Sequence, residues 1–165
     1  MTGLRRLTAL LLLCLALHSA ALAAPPAKPA ASAAAPAARD KCPVCGMFVA
    51  KYPDWMASTT FKNGTISYFD GPKDMFTHYL DPPRYTPGLR QADITSMRVK
   101  EYYSLKMVDA RSAFFVVGSD VYGPMGKELI PFASRTDAES FMADHKGKKV
   151  LRFNEITKEL VKSLN

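Results

Sequence analysis

Three sulfur-bearing residues lie close together near the start of the folded part of the chain. The segment CPVCGMFVAKYPDW separates Cys42 from Cys45 by two residues and places Met47 two positions further on. A pair of thiols at this spacing can form a disulfide or act as a redox couple, and with a thioether beside it the pair can bind a soft metal ion. The rest of the sequence must distinguish among these chemistries.

A structural disulfide, a redox couple and a zinc site each meet an objection. A Cys-Pro-Val-Cys disulfide closes a very small loop and so removes little chain entropy. Thioredoxin-like pairs open a helix, whereas Gly46 and Pro53 disfavour a helix here. A structural zinc site needs about four nitrogen or sulfur ligands, and after residue 40 the two cysteines are joined only by His78 and His145. A thiol–disulfide oxidoreductase that uses Cys42 and Cys45 stays open as the alternative, and so does a plain interaction module.

Copper(I) fits the residues best, because this soft cation favours thiolate and thioether ligands and tolerates low coordination numbers. Cys45 and Met47 supply both ligand types on either side of a glycine. Met125, in VYGPMGKELIPF, is a third sulfur held between turn residues, where no helix or strand period assigns it to a core. We predict a copper(I) site formed by Cys45, Met47 and Met125, with Cys42 as an auxiliary or exchange ligand whose loss has the smallest effect. The other methionines are predicted to pack in the interior; these are Met56, Met75, Met97, Met107 and Met142.

The elements that must position these sulfurs form an α+β pattern. Asn63-Gly64 predicts a two-residue hairpin that pairs Phe61 with Ile66, and a helix follows with Pro72 at its first position and an end before Pro82-Pro83. The second half repeats this order. Strands are predicted in MRVKEYY, AFFVVGS and KKVLRF, and helices in SRTDAESFMADH, begun by Ser134, and in NEITKELVKSL. Hairpin then helix, twice, predicts two similar strand-strand-helix units in one domain.

The first 40 residues are expected to lie outside this domain. Residues 1–23 contain Arg5 and Arg6, an apolar run and a small-x-small end, which is typical of a cleavable secretory signal peptide. Residues 24–40 are rich in Ala and Pro and predict a flexible tether, so that the domain spans 41–165. Cys14 lies inside the apolar run, so a lipid anchor is not expected. The formal charge of +7 is scattered along the chain, which does not favour nucleic-acid binding. We expect a soluble periplasmic protein.

Several long motifs together resemble the NosL family of exported copper-binding accessory proteins. They are CPVCGMFVAKYPDW, YFDGPKDMFTHYL, YYSLKMVDARSAFFVVGSDVYGPMGKELIPF and FMADHKGKKVLRF. The resemblance implies an α+β fold like that of organomercurial lyases and a copper(I) chaperone, not an enzyme, that delivers copper for the copper centre of nitrous oxide reductase. The family's Cys-Gly-Met motif falls on Cys45 and Met47, and its Gly-Pro-Met-Gly motif on Met125.

Overall fold

The computed structural model describes residues 35–165, so the predicted signal peptide and most of the predicted tether lie outside the described residues. Within the described range, no helix is long and apolar enough to cross a membrane. The elements in chain order are β1 (Ala57–Phe61), β2 (Ile66–Phe69), α1 (Pro72–Leu80), α2 (Pro82–Tyr85), β3 (Ile94–Lys100), β4 (Met107–Asp109), β5 (Phe114–Val117), β6 (Tyr122–Gly123), β7 (Gly126–Lys127), β8 (Ile130–Phe132), α3 (Arg135–Asp144), β9 (Lys149–Arg152) and α4 (Lys158–Ser163).

The predicted α+β class is confirmed, and the described residues form two main antiparallel sheets. A four-stranded antiparallel sheet has the order β2-β1-β3-β4, and a three-stranded antiparallel sheet has the order β8-β5-β9. In the first sheet β1 pairs with β2 and with β3, the strand that follows α1 and α2. In the second sheet β5 pairs with β8, after the β6–β7 hairpin, and with β9, the strand that follows α3.

Strand β5 separates two parts of the core, which explains its continuous apolar sequence. Because successive side chains of a strand point to opposite faces, Phe115 and Val117 pack into the larger cluster and Val116 into the smaller one beside α3. Helix α1 lies on the first of these faces. Its Phe76 meets Phe115 edge to face, with ring centroids 5.2 Å apart. The apolar sequence AFFVVGS predicts a strand at the centre of a sheet, and β5 lies there, between β8 and β9.

Three local expectations are wrong in detail. The first hairpin pairs Thr60, not Phe61, with Ile66. The amide of Phe61 instead donates to the carbonyl of Thr65, so the loop holds three residues and the register moves by one. Three-residue loops are the next most favoured hairpin connections, and the Asn-Gly pair does not exclude them. The polar, proline-rich sequence from Pro82 to about Asp93 predicts a link between the halves, but this segment begins with a short helix. The last helix begins at Lys158, after a 3-10 turn, because Thr157 caps it.

Helix α1 also carries a histidine whose burial should make folding stability depend on pH. The side chain of His78 is fully buried between the rings of Phe61 and Phe69. Its Nε2 lies 2.9 Å from Oγ1 of Thr86, while its Nδ1 has no hydrogen-bond partner among the described residues. A second proton would therefore place an unsatisfied charge in the core, and burial lowers the pKa of His78 from 6.5 to about 4.

We expect His78 to lower the free energy of unfolding as the pH falls from about 6.5 to about 4. Over this range the unfolded chain binds a proton at this residue and the folded chain does not. Above about pH 6.5 His78 is neutral in both states, so its full contribution to the free energy of unfolding is present. By pH 4 the loss is about 3 kcal/mol, from 1.36 kcal/mol per pKa unit. Urea unfolding at several pH values should show this slope as a difference between the wild-type protein and His78→Gln, which cancels the titration of other groups. Parallel curves for the two proteins would contradict the prediction.

Candidate metal centre

The two cysteines lie on a tight loop that the backbone closes on itself. Lys41 and Phe48 form an antiparallel bridge, and inside it the amide of Cys42 donates to the carbonyl of Met47 at 2.8 Å. The amide of Gly46 donates to the carbonyl of Cys42 at 2.9 Å, and Gly46 has a φ of +80°. A side chain at this φ would strain the backbone, so the glycine allows the loop to bring Cys45 back towards Cys42.

Two aspartates complete a cluster around these thiols. Asp70 follows β2, and Asp74 lies in the first turn of α1. One ligand atom from each of Cys42, Cys45, Asp70 and Asp74 lies within 4.8 Å of the other three. Sγ of Cys42 donates to Oδ2 of Asp74 at 3.2 Å, and Sγ of Cys45 donates to Oδ1 of Asp70 at 3.1 Å. We call these four residues the thiol–carboxylate cluster.

The cluster keeps its thiols protonated in the absence of a metal ion. Burial, followed by the negative charge of Asp74, raises the pKa of Cys42 far above its ordinary value. Burial also raises the pKa of Cys45 to about 12, and the side chains of Asp74 and Asp70 add to this shift. The pKa of Asp74 is raised by its own burial. These thiols are therefore poor nucleophiles at neutral pH, unlike the low-pKa cysteine of a disulfide oxidoreductase.

Cys42 and Cys45 differ in access to solvent. Cys42 is only 2% exposed, whereas Cys45 is partly exposed at the edge of the core. Both are free cysteines. An ion entering from solvent would therefore meet Cys45 first and Cys42 behind it.

The predicted thioether ligands reach this region by different routes. Met47 is half-buried on the cysteine loop itself. Met125 lies in the turn between β6 and β7, where it is 45% exposed, and its carbonyl accepts a hydrogen bond of 2.9 Å from Nζ of Lys73. Because Lys73 is the neighbour of Asp74 on α1, this contact brings the Met125 turn to the helix end that carries the cluster.

The exposure of Met125 distinguishes it from the methionines that we expected in the core. Met56, Met75 and Met97 are buried, while Met107 and Met142 are half-buried and pack against the two core clusters. Met125 packs against neither core cluster, so a place in the core does not explain its residue type.

Sequence reasoning missed both aspartates. In YFDGPKDMF neither Asp70 nor Asp74 was predicted as a ligand, and Gly71 is the N-cap residue of α1. The four-residue spacing of Asp70 and Asp74 across a helix start was an available signal, since it can bring two carboxylates to one end of the helix. The count of ligands for a zinc site considered only cysteine and histidine, so it left out the two carboxylates. The histidines considered then are not in the cluster, since His78 is in the core and His145 stacks on Phe141.

The fold and the cluster together define a class: an α+β protein with paired cysteines and paired carboxylates at the start of its first helix. A family model described as NosL matches residues 33–161, and the chain belongs to the NosL family. The resemblance seen in the sequence motifs is thereby confirmed.

Three individual NosL proteins are similar to this chain. The copper-binding lipoprotein NosL of Stutzerimonas stutzeri is 32% identical over 124 residues, which are 74% of this chain and 64% of that protein, so the chain spans less than two thirds of its length. The crystal structure of the copper chaperone NosL from Shewanella denitrificans superposes with a TM-score of 0.67 at 28% identity, over 79% of this chain and 99% of that one. The solution structure of apo-NosL from Achromobacter cycloclastes has a TM-score of 0.47 at 26% identity, over 64% and 87% of the two chains.

Proposed function

We propose that this protein is an exported copper(I) carrier without enzymatic activity, and that its cargo binds Cys45, Met47 and Met125 with Cys42 as an auxiliary ligand. The observation that carries the proposal is the pair of free thiols 4.8 Å or less apart, beside two carboxylates and next to a thioether on the same loop. Soft sulfur ligands select copper(I) over hard cations. The names of the relatives, copper-binding lipoprotein and copper chaperone, support the same cargo.

The cluster also suits reversible loading. Each thiol that binds copper(I) as a thiolate must lose one proton, and a carboxylate that already accepts a hydrogen bond from that thiol can receive it. The partly exposed Cys45 leaves one side of the site open. A partner's ligands can enter from that side and exchange stepwise, which is what a carrier needs in order to release its cargo.

We further propose that the carrier works in the periplasm and delivers copper for assembly of the nitrous oxide reductase copper centre. The leader-like sequence at 1–23 supports export. Membership of the NosL family supports the recipient.

Two linked measurements test the proposal. The reduced protein, titrated without oxygen, should bind one copper(I) per chain in competition with a copper(I) chelator. Mixed with copper-free nitrous oxide reductase and its maturation components, the loaded protein should restore the copper centre. The same amount of copper(I) on the chelator alone should restore much less.

Other outcomes would assign the site differently. A protein that ignores copper(I) but reversibly forms a Cys42–Cys45 disulfide and oxidises thiol substrates is the oxidoreductase alternative. Tighter binding of zinc than of copper(I), in parallel competition assays, would mean that two thiolates and two carboxylates form a tetrahedral zinc site and that the methionines take no part.

A further inference from the structure

A buried glutamate fastens the start of α1 to the chain that follows the Met125 turn. Glu128 comes directly after β7 and is only 4% exposed. Its Oε1 accepts hydrogen bonds from the backbone amides of Lys73 and Leu129. Its carboxylate also lies against Gly71 and Gly123, where a Cβ atom on either glycine would collide with or crowd it. The chain at Glu128 and the first turn of α1 are thus held in direct contact.

A buried lysine makes the second attachment. Lys73 is only 2% exposed, although lysines are almost never fully buried without a partner. Its Nζ donates to the carbonyl of Met125, and its own backbone amide donates to Glu128. One residue therefore holds the turn through its side chain and the strand end through its backbone. The next residue along the helix is Asp74 of the thiol–carboxylate cluster.

The burial of Lys73 calls for an explanation beyond stability. An apolar side chain of similar size would fill the same space without the cost of removing an ammonium group from water. The lysine adds a positive charge near the carboxylates of Glu128 and Asp74. It also adds a directed bond to one atom, the carbonyl of Met125 in the β6–β7 turn. The pairing of Gly123 with Gly126 closes this turn, and the bond from Lys73 ties the exposed Met125 to α1.

We propose that Lys73 is a positioning residue that, together with Glu128, holds the Met125 thioether beside the thiol–carboxylate cluster. The inference rests on the proposed role of Met125 as a copper(I) ligand. Lys73 acts through the backbone of Met125 and does not touch the cargo. It completes a site whose other sulfurs, on the cysteine loop, are held by that loop's own hydrogen bonds.

The first test needs no copper. In the reduced metal-free protein with ¹³C-labelled methionine methyl groups, Lys73→Leu should shift the Met125 methyl resonance and increase its mobility, and leave the Met97 methyl unchanged. Lys127→Leu is the matched control, because it removes an exposed lysine from the same hairpin and leaves the bond to the Met125 carbonyl intact. An unchanged Met125 methyl in Lys73→Leu would overturn the proposal. Lys73→Gln provides a second variant if Lys73→Leu does not fold.

The second test is a double-mutant cycle in copper(I) competition. Lys73→Leu should weaken binding about tenfold, the lower end of what loss of a residue behind a ligand costs. Met125→Leu should weaken it by a similar factor, and the double variant should bind like either single one. A further full tenfold loss in the double variant would mean that Lys73 acts only on general stability, and would overturn the proposal. If the wild-type protein binds no copper(I), the proposed function fails, while the methyl spectra still decide whether Lys73 positions the turn.

Discussion

Replacing Cys45 by serine should abolish tight copper(I) binding, with a loss of more than about a hundredfold in affinity. About a hundredfold is the upper end of the loss in metal affinity when a residue that only orients a ligand is mutated. Loss of the principal thiolate itself should exceed it. Serine keeps a donor for Asp70 but offers a hard oxygen that copper(I) disfavours. Competition of the reduced variant against a copper(I) chelator measures the loss, and circular dichroism checks the fold.

Cys42→Ser is the matched variant, and we expect it to weaken binding less than Cys45→Ser does. Cys42 lies deeper, and burial together with the charge of Asp74 raises the pKa of its thiol further than that of Cys45. Its proton is therefore harder to displace, which is consistent with an auxiliary ligand. Serine also preserves a donor for Oδ2 of Asp74, so that no buried carboxylate loses its partner.

Variants of the two methionines test whether their thioethers bind copper(I) or whether the two thiolates bind it alone. Met47→Leu and Met125→Leu should each weaken binding by about tenfold, because a neutral thioether is a weaker donor than a thiolate. Met75→Leu is the control, since Met75 is fully buried on α1 and leucine is close to it in volume. If Cys42→Ser removes copper as completely as Cys45→Ser and neither methionine variant has an effect, the site is a dithiolate and the assignment of the thioethers is wrong.

Of the variants discussed, Phe76→Ala should lower the free energy of unfolding most. We expect a loss of about 3–5 kcal/mol, which is typical of replacing a buried phenylalanine by alanine. Phe76 is fully buried on α1, and its ring contacts the rings of Tyr79, Phe115 and Phe153. The change removes the central contact between the helix and the second sheet. For a domain of this size the melting temperature should fall by roughly 10–20 °C, as measured by thermal unfolding of the reduced protein.

Phe48→Ala is the control for this prediction. Phe48 is 37% exposed and contacts Lys41 and Lys51 through its ring, so its loss should cost less than about 1 kcal/mol. Comparable destabilisation by the two variants would mean that α1 is not fastened mainly through Phe76. Below its melting temperature, Phe76→Ala should still bind one copper(I) per chain, because none of the proposed ligands is changed.

Much of the fold could be predicted from local patterns. Pro72 at the first position of α1, Ser134 as the cap of α3 and the apolar run of β5 each carry their structural information within a few residues. Helix starts and buried strands depend on hydrogen bonds and periodicities of that range. The hairpin register was not predictable in this way, because Asn63-Gly64 is compatible with two-residue and three-residue loops alike.

The candidate site shows the same division between local and distant information. The sequence determined that Cys45 and Met47 share one small loop, that Met125 lies in an exposed turn, and that the motifs are those of the NosL family. Only the tertiary structure decided that Asp70 and Asp74 face the two thiols and that Lys73 reaches the Met125 turn. These contacts join residues 25 to 52 positions apart. They follow from how sheets and helices pack around a shared core, which no local spacing encodes.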